Sequence, residues 1–283
     1  MANRNRSGNL TLRLDLASLA GLIVAVAGIL AGLVLEGGRI RDVSQFSAAV
    51  VVFGGTLGAV MMTTPTRALL RALGRFGTVF FERSQSADRA IDEIIEFATQ
   101  ARKNGIVSLE AQADLVADPF LRKALNLAID GSDINQIRGI MEREIEILER
   151  DGEAVAKVYE AAGGYAPTIG IIGAILGLMQ VMKNLANIDE VGRGIASAFV
   201  ATIYGVGSAN ILFLPAAAKL RARFDAAAHN RELVLDGVLA IVEGLNPKLI
   251  RIKLEAYQRD PARTEGPRKD GRQAAGVPVS AEG

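Results

Sequence analysis

Weakly polar side chains on two long apolar stretches are the residues of this sequence most able to do chemistry. Residues 161–182 and 195–218 contain no Asp, Glu, Lys, Arg or His, but the second stretch carries Thr202, Ser208 and Asn210. Hydroxyl and amide groups can line a hydrated path for an ion, or they can bond back to their own helix. They do not take up and release a proton, which at membrane depth normally requires an ionisable side chain. Any proton relay at these residues therefore needs an acid from another polypeptide.

Small residues and prolines add two further features to the apolar stretches. Glycines spaced four residues apart allow helix backbones to approach closely, and ordinary helix packing is their commonest role. Pro167 removes a backbone hydrogen bond early in one stretch, and the resulting kink can act as a hinge. Pro215 does the same near the end of the last stretch. The glycine pairs are Gly28 with Gly32, Gly54 with Gly58, and Gly173 with Gly177.

Four charge-free stretches, each about 20 residues long, position these side chains. A helix needs roughly 20 apolar residues to cross ~30 Å of hydrocarbon, so each stretch can span a bilayer. The first stretch is too long for the apolar core of a signal peptide, so we expect it to be retained. The sequence predicts an all-α membrane protein with four transmembrane helices in two hairpins and long cytoplasmic helical extensions. The four stretches are Leu16 to Leu35, Phe46 to Thr64, Ala161 to Met182 and Ile195 to Ala218.

The distribution of basic residues predicts the orientation of these spans. Three Arg precede the first span, 13 Lys and Arg lie between the second and third, and 12 follow the fourth, whereas each short connection has two. By the positive-inside rule, both termini and the large middle segment are cytoplasmic. Arg67, Arg71 and Arg75 follow the second span at helical spacing, where we expect them to lie against anionic headgroups. Asp15 precedes the first span, either as a helix-start residue or as an acid at its cytoplasmic mouth.

These patterns divide the chain into six regions, with a helix break at Asn246-Pro247 inside the fifth. The last region has too few apolar residues to fold. The regions are a cytoplasmic N-terminal tail (1–13), a transmembrane hairpin (14–65), a cytoplasmic helical domain (66–158), a second transmembrane hairpin (159–219), a cytoplasmic helical stalk with a C-terminal helix (220–258), and a disordered tail (259–283).

Covalent and metal chemistry have no support in the sequence. It contains no Cys, which excludes disulfides and thiolate metal sites. Its one His, His229, lies among charged residues, where a solvated side chain is the expected state. There is no glycine-rich phosphate loop, nucleophile elbow or pair of carboxylates in an apolar setting. We expect a protein that is not an enzyme and that binds no cofactor, metal or nucleic acid.

Four motifs accompany the four spans, two of them in the last two spans and two in the polar segments. They are Ala198-Phe199-Val200-Ala201-Thr202-Ile203-Tyr204-Gly205 with Pro215 ten residues on, Pro167-x-x-Gly170-x-x-Gly173-Ala174-x-x-Gly177, Asn246-Pro247, and Arg102-Lys103-x-Gly105 through Ser108-Leu109-Glu110. With these motifs and spans, the sequence resembles the MotA/PomA subunit family of the bacterial flagellar stator from about residue 14 to residue 258. One departure is Gly207, where the family usually has a larger apolar residue; this could loosen local packing.

The resemblance implies a stator subunit that forms a proton-conducting channel with a MotB-type partner and applies torque to the rotor protein FliG. It implies a homo-oligomeric ring, a pentamer, in the bacterial inner membrane, around partner helices whose aspartate carries the ion. In the family's terms, Thr202 lines the ion path beside that aspartate, and Pro167 and Pro247 take part in the coupled movement. Ala174 falls where sodium-driven relatives tend to have threonine, whose hydroxyl could help replace the sodium ion's water shell. We therefore expect protons to be the driving ion.

The resemblance also implies a rotor-binding site in the large polar segment. Arg102, Lys103 and Glu110 match positions that face charged residues of FliG in the family. They flank a helix stop at Gly105, and an exposed corner of this kind suits partner contact. Solvated surface charge is the alternative interpretation.

Two other functions are alternatives to the stator. An ExbB or TolQ-type energiser shares the channel core, but such proteins usually have three spans and an outside N-terminus, whereas this sequence has four spans and a basic N-terminus. A passive membrane scaffold, whose polar residues only pack helices, would conduct nothing.

Overall fold

The computed structural model describes residues 12–83, 87–183 and 185–259, and most of the two predicted tails, 1–13 and 259–283, lies outside them. The described residues are helical apart from a two-stranded ribbon, and π-helical segments at Val50–Gly54 and Ser208–Phe213 interrupt two of the spans. Single 3₁₀ turns occupy Ile40–Val43, Phe76–Val79 and Ile106–Leu109. The strands are β1 (Leu12–Leu14) and β2 (Phe81–Arg83); the helices are α1 (Leu16–Leu35), α2 (Phe46–Ala49), α3 (Gly55–Thr63), α4 (Thr66–Arg75), α5 (Ala87–Asn104), α6 (Glu110–Ala113), α7 (Pro119–Ile129), α8 (Ile134–Lys183), α9 (Ile188–Gly207), α10 (Leu214–Val242) and α11 (Pro247–Arg259).

Four helical segments are long and apolar enough to cross a bilayer, which agrees with the four predicted spans. They are α1, Ile40–Thr63, α8 and Ile188–Val242. α8 has 50 residues, and at 1.5 Å per residue it is about 75 Å long. The third and fourth spans therefore continue beyond the bilayer as long helical extensions, as predicted. We call the part of α8 before residue 161 the first stalk and the part of α10 after residue 218 the second stalk.

The two helices of the second hairpin pack tightly against each other, whereas the two spans of the first hairpin are consecutive in the chain but do not pack together. α8 packs against α9 along its length, and span two (α2, the π segment and α3) packs against both. α1 has no buried residue and mainly contacts Ser208–Phe213 and its own connecting turn, Ile40–Val43. Apolar composition alone does not distinguish these two situations, because a helix that faces lipid is as apolar as one that faces protein.

The polar segments on either side of the second hairpin share one hydrophobic core, which we call the head. α5, α6, α7 and the first part of α8 pack there with the end of α10 and with α11. Phe120, Leu125, Met141 and Leu239 are among its largest fully buried side chains. The predicted regions 66–158 and 220–258 thus contribute to a single folded unit.

The β-ribbon ties the start of α1 to the loop that follows α4, a feature that hydrophobic periodicity did not predict. β1 and β2 are antiparallel, with Leu12 opposite Arg83. Asp15 extends the tie, because its backbone N–H donates to the carbonyl oxygen of Phe80 at 2.8 Å. Its carboxylate also accepts from the backbone N–H of Ser18 at 3.1 Å, so Asp15 caps α1 as a helix-start residue.

Candidate functional site

A seam of glycine and alanine brings the backbones of α8 and α9 into contact. A side chain at Gly205 would place its Cβ 2.5 Å from the carbonyl oxygen of Ala166, and one at Gly170 would place its Cβ 2.9 Å from that of Ala201. Nearer the outer loop, a Cβ at Gly177 would lie 2.9 Å from the backbone nitrogen of Ala198. The seam consists of Ala166, Gly170, Gly173 and Gly177 on α8 and Gly194, Ala198, Ala201 and Gly205 on α9.

The three predicted glycine pairs differ in what surrounds them. Gly173 and Gly177 pack as expected, since a Cβ at Gly173 would lie 2.8 Å from the Cβ of Ala201. No atom lies within 4 Å of the position of a Cβ at the members of the other two pairs. The packing predicted for those pairs is therefore not made within the described part of this chain. The open pairs are Gly28 with Gly32 and Gly54 with Gly58.

Pro167, Ala174 and Thr202 lie on the same side of the α8–α9 hairpin. Each directly follows a seam residue and is therefore turned about 100° from the seam along its helix. Because the two helices run antiparallel, this turn brings all three residues to one side of the hairpin. All three are partly exposed. We call this side the Thr202 face.

Span two covers the opposite side of the hairpin. Tyr204, which precedes a seam residue, stacks on Phe53 with ring centroids 6.1 Å apart, and its hydroxyl donates to the carbonyl oxygen of Val43 at 2.6 Å. Val200 packs in one cluster with Val52 of span two. The described residues therefore leave the Thr202 face open while they cover its reverse.

The polar groups of this hairpin bond to their own helices. The Thr202 hydroxyl donates to the carbonyl oxygen of Ala198 at 3.3 Å, and the hydroxyl of Ser208 and the amide of Asn210 donate to carbonyls three or four residues earlier. The back-bonding that the sequence left open is thus present. A hydroxyl that donates in this way keeps its lone pairs, so Thr202 can still accept a hydrogen bond on its open face.

The π segment Ser208–Phe213 interrupts the fourth span three residues beyond Gly205, the last seam residue of α9. Pro215 follows it and cannot donate to the carbonyl of Ile211, so the α-helical bonding pattern fails at this point. Pro215 was the sequence signal for this irregularity. Gly207 lies directly before the segment and has no atom within 4 Å of the position of a Cβ, so a larger residue would meet open space there.

Charged residues where the spans end form two networks that the sequence did not predict. Asp15 accepts from Lys219 at 2.6 Å and Arg223 at 2.7 Å, and its carboxylate is only 10% exposed. The Lys219 hydrogen bond, with further help from Ser18 and Arg223, holds the pKa of Asp15 well below its usual range. These bonds fasten α1 to the start of the second stalk.

The second network crosses between the two stalks. Arg221 donates to Glu160 at 2.8 Å and to Glu153 at 2.9 Å. These hydrogen bonds raise the pKa of Arg221, and the bond from Arg221 lowers the pKa of Glu153. Asp225 lies close to the same network, and its partial burial raises the pKa of its carboxyl group. Partners separated by more than 60 residues cannot be matched from charge pattern alone.

The predicted rotor-binding residues lie at an exposed corner of the head. Arg102 and Lys103 are in the last turn of α5, Gly105 follows with a φ of +81°, and Glu110 begins α6, and all are exposed. Leu109 is 0% exposed and anchors the corner to the core. The corner is therefore held by the core, and it presents basic and acidic side chains to solvent.

Pro247 lies in the head and not on the Thr202 face. It is the first residue of α11, and the side-chain oxygen of Asn246 accepts from the backbone N–H of Lys248 at 3.1 Å. The buried side chains Ile250 and Leu254 hold α11 to the core. The Asn246-Pro247 break is thus a helix start that turns the chain back after the second stalk.

No group of three or more His, Cys, Asp or Glu suited to a metal ion occurs among the described residues. His229 packs on Tyr257, with ring centroids 5.5 Å apart, and a ring nitrogen lies 3.2 Å from the Tyr257 carbonyl oxygen. The His229 side chain is therefore partly buried, whereas its charged neighbours in the sequence had predicted a solvated one.

The sequence is similar to that of known motility proteins over most of its length. The sequence matches the MotA/TolQ/ExbB proton channel family over residues 112–233 and the motility protein A N-terminal family over residues 19–105. Motility protein A of Bacillus subtilis is 36% identical over 245 residues, which cover 86% of this chain and 91% of that protein. This chain belongs to the MotA branch of the MotA/TolQ/ExbB family. The chemotaxis protein PomA of Vibrio alginolyticus is 32% identical over 86% of this chain and 95% of its own length.

Solved structures of MotA-family complexes have the same fold. The structure of C. jejuni MotAB matches with a TM-score of 0.83 at 30% identity, covering 88% of this chain and 98% of that chain. The flagellar MotAB stator complex from Bacillus subtilis matches with a TM-score of 0.80 at 35% identity, covering 88% and 97%. The MotA family comprises channel proteins and not enzymes, as predicted. The motility protein A N-terminal match separates this chain from the ExbB and TolQ energisers.

Proposed function

We propose that this MotA-family chain is the channel-forming stator subunit of a bacterial flagellar motor and forms a proton channel with a MotB-type partner. The observation that carries the proposal is the Thr202 face: an open side of a membrane hairpin that is apolar apart from the Thr202 hydroxyl and contains no ionisable group. Such a face can guide an ion but needs a carboxylate from elsewhere. The MotAB complexes with the same fold contain a second kind of subunit that can supply it.

The assembly that fits this surface is a homo-oligomeric ring, a pentamer, around the partner's helices. The Thr202 face of each chain would point toward the partner, because span two covers the reverse side. The ring would lie in the bacterial inner membrane with both termini and the head in the cytoplasm, and the placement of Lys and Arg supports this orientation.

Protons drive this stator in our proposal. Each proton that crosses releases about 2.3 kcal/mol per 100 mV of membrane potential. Protonation neutralises the partner's aspartate and changes how it contacts Thr202 and Ala174, and the ring then steps around the partner. Ala174 offers no oxygen ligand for sodium, whereas protons can move along water.

Movement reaches the rotor through the head. Pro167 provides a flexible point within α8, and Pro247 fixes how α11 joins the core. Arg102, Lys103 and Glu110 would contact charged residues of FliG at the exposed corner. Contacts of this kind steer association and weaken as salt rises.

The decisive experiment compares Thr202→Val with Thr168→Val. Both variants remove a hydroxyl that bonds back to its own helix, at 3.3 Å for Thr202 and 2.8 Å for Thr168. Thr168 follows the seam residue Ala166 by two positions, so it is exposed on the side of α8 that points away from the seam. Thr202→Val should abolish swimming and proton flux while the complex with the partner still assembles. Thr168→Val should leave both unchanged. Normal swimming of Thr202→Val cells would remove Thr202 from the ion path.

The rotor contact has its own test. Glu110→Lys should reduce torque, and a matching charge reversal in FliG should restore it, whereas Glu142→Lys on the exposed side of α8 should have little effect. Unchanged torque in Glu110→Lys would assign Glu110 to the solvated surface, and an equal loss in both variants with no rescue would likewise contradict the rotor contact.

A further inference from the structure

α4 lies along the end of the spans and does not lead away from them. Val60 of span two, Ala72 of α4 and Val79 of the following turn are buried in one cluster with Tyr159 and Ala217. Tyr159 lies two residues before the first charge-free stretch of the second hairpin, and Ala217 is the next-to-last residue of the second stretch. Twelve residues after Val60, the chain is therefore still at the level where the spans leave the hydrocarbon.

Two hydrogen bonds hold α4 and the segment that follows it at the same level. The Tyr159 hydroxyl donates to the carbonyl oxygen of Ala72 at 2.7 Å, and the backbone N–H of Asp15 donates to the carbonyl of Phe80. Asp15 immediately precedes the first span. Residues 66–80 thus form a belt at the membrane boundary.

The surface of α4 is divided into three sectors. One sector faces protein through Ala68, Leu69 and Ala72. At 100° per residue, a second sector carries Leu70 and Leu73, which are each 64% exposed. The third sector carries the basic residues, Arg67, Arg71 and Arg75.

Only part of the basic sector is engaged by the protein. Arg71 forms an ion pair with Asp151, and Arg75 lies over the ring of Phe224, with its guanidinium carbon 5.7 Å from the centroid. Arg67 is exposed and has no ion pair among the described residues. An exposed Arg beside two exposed Leu, at the end of a membrane span, matches the chemistry of a phospholipid: a phosphate above and an acyl chain below.

We propose that α4 is an interfacial helix that binds anionic phospholipid, with Arg67 on the headgroup and Leu70 and Leu73 against the acyl chains. A lipid surface fits the two open sectors, because α4 continues directly from a membrane span and already has protein on its remaining side. The bond from Tyr159 connects this helix to α8, the helix that carries Pro167. Lipid binding by α4 does not depend on which ion the assembly conducts.

The depth of α4 can be measured with a single spin label, because the chain has no native Cys. The full-length chain, purified with a cysteine-free partner subunit, would carry the label at Leu73→Cys and be reconstituted in vesicles of phosphatidylcholine with one quarter phosphatidylglycerol. The matched control is Thr99→Cys, an exposed position on α5 of the head. We expect oxygen to relax the label at position 73 more than a water-soluble nickel chelate does, and the reverse at position 99. A label at position 73 that behaves like the control would overturn the proposal.

The headgroup preference is tested in the same vesicles with spin-labelled lipids. Arg67→Gln should lower the preference for phosphatidylglycerol over phosphatidylcholine about fivefold, the effect expected for one cation at an anionic surface. Arg143→Gln, which removes an exposed Arg of the head, should leave it unchanged. An unchanged preference in Arg67→Gln, or an equal loss in both variants, would contradict a site at α4. Unaltered circular dichroism and co-purification with the partner show that each variant is folded.

Discussion

The seam between α8 and α9 makes a sharp prediction about two glycines on one helix. Gly205→Ala would place a methyl group 2.5 Å from the carbonyl oxygen of Ala166, with the backbone carbonyl carbon of Ala166 at 3.3 Å and the Cα of Gly170 at 3.0 Å. Ordinary contacts of a Cβ begin at 3.4 Å. The two helices must therefore separate by nearly 1 Å, because all three obstacles are backbone atoms that no rotamer change can move.

Gly207→Ala is the matched control, since no atom lies within 4 Å of its Cβ position. Both substitutions gain the helix propensity of alanine, about 1 kcal/mol, so this contribution cancels in the comparison. Overpacking costs typically 1–3 kcal/mol, and only Gly205→Ala incurs it. At roughly 2–4 °C per kcal/mol, the two variants should differ in unfolding temperature by about 2–12 °C.

Thermal unfolding of the purified complex, followed by circular dichroism, measures this difference. Swimming speed in soft agar supplies the functional comparison, in which Gly205→Ala cells should be impaired and Gly207→Ala cells should swim. Equal unfolding temperatures together with equal swimming would show that the seam tolerates a methyl group and that the close approach of α8 and α9 carries no energetic weight.

Three further predictions concern contacts at the membrane boundary. Asp15→Asn should destabilise the fold by about 1–3 kcal/mol at pH 7, because Lys219 and the largely buried guanidinium of Arg223 lose their carboxylate partner. Since the folded pKa of Asp15 is lowered, the wild-type advantage is present above about pH 4 and shrinks as acid protonates Asp15, which thermal unfolding across pH measures. Arg221→Gln should cost less than about 1 kcal/mol and the loss should vanish in 0.5 M salt, because Arg221 is 38% exposed; a salt-resistant loss would contradict this. Tyr159→Phe leaves the buried carbonyl of Ala72 without its donor and should cost about 1–3 kcal/mol by the same assay, and a neutral result would show that water replaces the bond.

The spans were predictable because their signals are local. Charge-free length indicated the four spans. Helix starts have local signals of the same kind: Pro119 is the first residue of α7, and the Asp118 carboxylate accepts from the backbone N–H of Phe120 at 2.9 Å. Such patterns depend on residues within one or two helical turns. They can therefore be recognised without knowing how the rest of the chain folds.

The interfacial contacts were not predictable because their partners are distant in sequence. Asp15 pairs with residues more than 200 positions away, and many other basic residues could have served equally well by charge. The same holds for the ribbon, whose two strands have only three residues each. Neither strand has enough length to show the alternation that identifies a strand.

The arrangement of the site residues could be predicted only in part. The resemblance assigned roles to Thr202, Ala174 and Pro167 one by one, but their common side follows only once the seam and the antiparallel direction of α8 and α9 are known. A seam of glycine and alanine can be recognised in the sequence, since it requires small residues at matching three- and four-residue steps on both helices. The residue that follows each seam position then faces one side of the hairpin, which gives a rule for locating such a face in other sequences.

The surfaces that one chain leaves open explain why its function requires an assembly. α1 has no buried residue, and Gly28 and Gly32 meet no neighbour, although close helix approach is the usual reason for glycines at this spacing. Lipid alone would not require them, because larger apolar residues face lipid equally well. A second copy of the chain against α1 and a partner against the Thr202 face would use both surfaces at once. Loss of the ring on substituting Gly28 and Gly32 by leucine, with the monomer still folded, would support this division of roles, and an intact ring would refute it.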